Sequence, residues 1–130
     1  MPDTTTSADE FGKISLATLD AMTTAEFDVL PFGVVGLSPE GQVEIYNATE
    51  SKAAGLPAAG LIGTDFFVNT AQCMNNFMVA QRLKDEPELD ATLDYVLTFR
   101  MRPTPVRLRL LRSGSASRRY VLIQRHEARG

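Results

Sequence analysis

Two short breaks, Arg102-Pro103 and Gly114-Ser115-Ala116, cut the end of the chain into three strand-length runs at about residues 89–101, 104–113 and 117–126. Connections this short join antiparallel neighbours, because a parallel return needs a crossover of about a dozen residues or more. In the middle run Val106, Leu108 and Leu110 alternate with arginines, as on a strand with one face in a core and one in water.

Upstream, PFGVVGLSPEGQVEIYN reads as a further hairpin. Ser38-Pro39-Glu40-Gly41 is its turn, with proline second and glycine fourth. The return strand Gln42–Tyr46 places Val43 and Ile45 on one face and Glu44 on the other. Asn47 is a helix N-cap for Ala48–Ala54, and Gly55 stops that helix. One helical turn at Leu56–Gly60 follows, then a short helix opening at Asp65-Phe66-Phe67. A longer helix is expected over Met74–Leu83, burying Phe77, Met78, Ala80 and Leu83. Residues 11–30 carry apolar groups mostly three apart, which predicts one or two short helices forming a cap; Pro31 ends them.

Two strands, a cluster of short helices and three strands make an α+β order. The expected architecture is a five-stranded antiparallel sheet with short helices on one face and an N-terminal helical cap. Residues 1–30 are the cap, partly flexible, and 31–130 the core domain.

At 130 residues and 44% hydrophobic, the chain can form one globular core. No apolar run approaches the roughly 20 residues of a membrane span, and MPDTTTSADEFGK lacks the features of a signal peptide. A single cysteine forms no internal disulfide, which suits a reducing cytoplasm. Residues 95–130 hold nine arginines and one acid, whereas residues 1–94 hold 15 acids and four bases. The alternation in VRLRLLR makes the arginines a solvated strand face near acidic surface rather than a nucleic-acid site.

Tyr46 and Glu50 stand four apart, so a helix opening near Tyr46 puts both on one side of its first turn. They offer a phenol and a carboxyl to one point. If Cys73 reaches the other end of the same cavity, a small molecule can be tethered there and held at its far end. Taken singly, Cys73 reads as a small buried hydrophobe, Tyr46 as a strand-end tyrosine and Glu50 as a surface acid.

These residues, with LPFGVVGLSPEGQVEIYNATE, LIGTDFFVNTAQC and LDYVLTFRMRPTPVRL, resemble the photoactive yellow protein family, blue-light receptors within the PAS fold. The resemblance covers roughly residues 29–126. It implies p-coumaric acid (4-hydroxycinnamic acid) bound as a thioester to Cys73, with Tyr46 and Glu50 donating hydrogen bonds to its phenolate. Phe66, Leu97, Phe99 and Met101 are implied as pocket walls. The chain departs from the family's pattern at Ala54, Leu56, Gln72 and Leu97, changes expected to alter colour and photocycle speed.

Two bare anions at about 4 Å would repel by about 4 kcal/mol at an effective dielectric near 20. Glu50 is therefore expected to be protonated beside an ionised phenol, its pKa raised by burial. Isomerisation in light, proton transfer from Glu50 and partial unfolding of the cap are implied as the signal. A downstream signalling protein would read it, with the receptor a monomer or weak homodimer. The alternative is a chromophore-free PAS interaction or ligand-sensing module. An enzyme is not expected: there is no Ser-His-Asp set, phosphate loop or metal cluster, and His126 is the lone histidine.

Overall fold

The computed structural model describes residues 6–98 and 103–125. Phe99, Met101 and His126 lie outside the described residues. Three short helices come first, α1 (Thr6–Lys13), α2 (Leu16–Asp20) and α3 (Thr24–Asp28). Strands β1 (Gly33–Leu37) and β2 (Val43–Tyr46) follow, then α4 (Ala48–Ala54), α5 (Ala80–Asp85), β3 (Leu89–Leu97), β4 (Thr104–Arg112) and β5 (Arg119–Arg125). The sheet is antiparallel throughout, in the order β2-β1-β5-β4-β3. The expected α+β sheet is present, and the short helices number one more than expected at the N-terminus.

Each face of the sheet is buried. One face, with Val35, Leu37, Leu97, Val106, Leu108, Leu110, Val121 and Ile123, packs against Tyr46, Phe66, Met74, Val79 and Leu83. The other, with Val34, Leu111, Tyr120 and Leu122, is covered by Phe11, Leu19, Phe27, Leu30 and Phe32 of the N-terminal segment. Burying a side chain of this size stabilises by about 1.5–3 kcal/mol.

The cap corrects the reading of β4 as half solvated. Arg109 is buried, pairing with both Asp90 oxygens at 2.9 Å and donating to the carbonyls of Phe11 at 3.0 Å and Ile14 at 2.6 Å. The excess of acid early and arginine late resolves largely within the fold. Arg107 meets Asp94, Arg118 meets Glu44 and Arg125 meets Glu50, so acids and bases distant in sequence neutralise each other.

Two further expectations are corrected. Helix α5 begins at Ala80, not Met74, and Phe77 is 77% exposed with Met78 at 39%. The Asn76 side chain accepts from the N–H groups of Met78 and Val79, a local bond that competes with helix formation. In β2, Val43 faces the helix-side core but Ile45 faces the cap, so the two do not share a face. Leu37 pairs with Val43 while Gly36 pairs with Ile45, leaving Glu44 as an extra residue. That bulge turns the strand over and returns Tyr46 to the side of Val43.

Candidate functional site

Asn47 builds one end of the site. Its Oδ1 accepts from the Glu50 N–H at 3.1 Å, capping α4, and from the Val34 N–H at 2.9 Å. Its amide donates to the carbonyls of Phe27 at 2.8 Å and Phe32 at 3.1 Å. One side chain thus fixes α4 against β1 and the cap. Gly55, with φ of 72°, ends the helix in the left-handed conformation.

Cap and helix together drive Glu50 and Ala54 inward, and Glu50 is wholly buried. Its Oε1 occupies space beside β1 that a side chain at Gly33 would fill. Arg125 grips the carboxylate with Nη1 to Oε1 at 2.6 Å and Nη2 to Oε2 at 3.0 Å. Burial is the strongest influence on the Glu50 carboxyl and raises its pKa, and the Arg125 hydrogen bonds pull the other way without cancelling it.

Tyr46 sits beside this pair at the end of β2. Its hydroxyl is buried and has no hydrogen-bond partner among the described residues. Burial first, and then the Glu50 charge, raise its pKa, so the phenol holds its proton as a donor without an acceptor.

Cys73 lies at the other end of α4. Asp65 caps a single π-helical turn, Phe66–Thr70, accepting from the N–H groups of Phe67 and Val68. A 3₁₀ turn, Gln72–Met74, then carries the cysteine. The Cys73 carbonyl accepts from the Tyr95 hydroxyl at 2.6 Å and from the Asn76 amide at 3.1 Å, which ties this turn to β3. The half-buried thiol lines a cleft of about 360 Å³ with Ala54, Leu56, Leu61, Gln72 and Thr98. Thr70 lines it too, and its Oγ1 is buried without a partner.

Tyr46, Phe66 and Leu97 lie in one core cluster, with Cys73 packed against it. Helix α4 spans the two ends, since Ala54 borders the cysteine cleft one turn beyond Glu50. Tyr46 and Glu50 do not themselves line that cleft.

Sequence reasoning missed Arg125, Asn76 and Tyr95. Arg125 was hidden in an arginine-rich end that reads as solvated. The strand alternation held its signal, because Arg125 falls two and four residues after Ile123 and Val121, which face the helices. Among the described residues no cluster of His, Cys, Asp and Glu could hold a metal ion, and no helix is long and apolar enough to cross a membrane.

The polar groups fall into two sets, and the cysteine cleft reaches only one of them. Among the described residues the Tyr46 and Thr70 hydroxyls are buried without partners; a carboxyl lies next to the first, and a thiol lies in the cleft with the second.

No protein-family profile matches the chain. It is 28% identical over 104 residues to the photoactive yellow protein of Rhodothalassium salexigens, covering 78% of this chain and 83% of that protein. The crystal structure of the photoactive yellow protein domain of the sensor histidine kinase Ppr from Rhodospirillum centenum superimposes with a TM-score of 0.77 at 35% identity. That match covers 84% of this chain and 98% of that one. The PAS domain of an HTR-like protein from Haloarcula marismortui shares the fold alone, with a TM-score of 0.63 and 14% identity over 85% of this chain and all of that one.

Proposed function

Because the chain belongs to the photoactive yellow protein family, we propose that it is a cytoplasmic blue-light receptor carrying p-coumaric acid as a thioester on Cys73. The observation that carries this reading is the Tyr46 hydroxyl, buried without an acceptor beside the Glu50 carboxyl. A buried hydroxyl left unpaired costs about 1–3 kcal/mol, and a phenolate oxygen supplies the missing acceptor.

Cys73 would take the acyl group by transfer from an activated donor. Its sulfur bonds the acyl carbon, the donor's leaving group departs with the bonding electrons, and the thiol proton goes with it. Tyr46 and Glu50 would hold the far oxygen, each as a donor, which requires Glu50 in its protonated form. Burial already pushes the carboxyl in that direction. Phe66 and Leu97 would wall the ring, with Phe99 and Met101 proposed beside them.

Bound p-coumaric acid supplies a double bond that light isomerises and a phenol whose ionisation moves absorption into the visible. Glu50 is the nearest acid able to release a proton when its hydrogen bond is lost. A carboxylate newly formed in this buried site costs several kcal/mol until a partner reaches it, a sizeable share of a small domain's stability. The cap is tied to the sheet by Arg109 and the Tyr120–Asp20 bond and to α4 by the Asn47–Phe27, Ala48–Asp28 and Thr49–Leu30 bonds, and it is the segment we expect to loosen for a downstream partner to read.

A chromophore-free PAS sensing module is the second reading. It is favoured by one observation, that Arg125 satisfies both Glu50 oxygens without a ligand. Mixing the purified chain with an activated p-coumaroyl donor separates the two. The receptor reading expects a visible band that bleaches in blue light and returns in the dark. A protein that stays colourless, or a Cys73→Ala variant that colours equally, overturns it.

A further inference from the structure

Glu50 is only 1% exposed in its side chain, and its partner Arg125 is 22% exposed, on the final residue of β5. The carboxylate is fixed, with Asn47 anchoring its helix and Gly33 leaving it room. The guanidinium sits at the margin, where a long flexible side chain can swing into water. The neighbouring Tyr46 hydroxyl is left without an acceptor. One end of the site therefore has a satisfied acid whose cation is replaceable and a fixed donor with nothing to bind.

We propose that Arg125 is an exchangeable counter-ion for Glu50, bound when the acid is ionised and displaced when a phenolate occupies the site. This rests on the chromophore reading above. A phenolate and an ionised Glu50 cannot share a dry pocket, so a ligand-bound Glu50 takes up a proton and no longer attracts the guanidinium. When Glu50 later gives that proton away, the carboxylate is again a bidentate target for the same arginine. Arg125 thus supplies the partner that a carboxylate formed by light otherwise lacks. The pair lengthens the life of the activated state, because it must break before Glu50 regains its proton. It also opposes loading, because the ligand must first expel it.

The charged and titratable groups against Glu50 are Tyr46 from β2 and Arg125 from β5; β1 meets it with Gly33. Two measurements on the full chain test the role. In unliganded protein, carbon-13 NMR of the Glu50 carboxyl follows its titration. Removing the cation by Arg125→Gln should raise the midpoint by at least one pH unit, with Arg125→Lys in between. In loaded protein, Arg125→Gln should recover from light at least tenfold faster than wild type, a barrier lowered by about 1.4 kcal/mol.

An unchanged Glu50 midpoint overturns the counter-ion role whatever the ligand. Colour in both proteins with equal recovery rates overturns the proposal and leaves the chromophore reading standing. No colour in either protein overturns the chromophore reading, and with it the proposal.

Discussion

The side-chain amide of Asn47 donates 2.8 Å to the carbonyl of Phe27, joining the first turn of α4 to the end of α3 twenty residues earlier. The same residue caps Glu50 and accepts from Val34, so the helix that carries the acid is positioned from three sides. Replacing Asn47 by Ala removes the acceptor of the buried Val34 N–H and a donor to each of the Phe27 and Phe32 carbonyls. The expected loss is about 2–4 kcal/mol, combining a lost cap and unmet buried groups. Urea unfolding followed by circular dichroism measures it; a loss under half a kcal/mol contradicts the Asn47 account.

Tyr46→Phe separates a ligand-facing hydroxyl from a structural one. Removing an unpaired buried hydroxyl should leave the unliganded protein as stable or slightly more so, by up to about 1 kcal/mol. In the loaded protein the same change deletes a donor to the phenolate. The bound phenol should then need a pH about one unit higher to ionise, as seen in the ratio of ultraviolet to visible absorption. Equal midpoints in the two proteins would place the tyrosine outside the ligand's reach.

Gly33→Ala tests the close approach of β1 to the acid. Its new methyl collides with Glu50 Oε1 and crowds Cβ and Cδ of the same side chain, whose carboxylate Arg125 holds through both oxygens. We expect a loss of about 1–3 kcal/mol and a weakened Arg125 pair. Thermal unfolding gives the first, and the Glu50 titration by NMR the second.

Acid should open the cap before the core. Asp90 has its pKa lowered chiefly by its hydrogen bonds to Arg109, the residue that also holds the Phe11 and Ile14 carbonyls. The folded state binds this proton less tightly than the unfolded chain. The stability it contributes is therefore present above the ordinary aspartate value, near pH 4, and is lost as pH falls through the lower folded-state value. Amide exchange in α1 and α2 should quicken in that range while β4 and β5 stay protected. Asp90→Asn should quicken it at neutral pH and flatten the dependence.

Much of this fold is local, and local signals were legible. The Ser38–Gly41 turn, the Asn47 cap, the Gly55 stop and the Ser113–Ala116 turn within the six-residue β4–β5 connection each follow from residue types whose backbone preferences act within a few positions. Tyr46, Glu50 and Cys73 could be named because their spacing is fixed along the chain. What stayed hidden depends on contacts across the chain. Arg109 and Arg125 read as solvated because only the cap and α4, distant in sequence, cover them. The bulge at Glu44 comes from pairing with β1, and helix α5 starts late because Asn76 bonds Tyr95 and its own neighbours. Apart from the alternation that sets Arg125 on the face of Val121 and Ile123, periodicity carries none of this information.

The central claim is that Cys73 holds a coumaroyl group in the living cell. An intact-mass measurement on protein isolated from its own source, with the modified peptide mapped, tests it most directly. The account predicts the mass of the chain plus one coumaroyl group, located on the peptide containing Cys73. An unmodified mass, or the group on any other peptide, contradicts it.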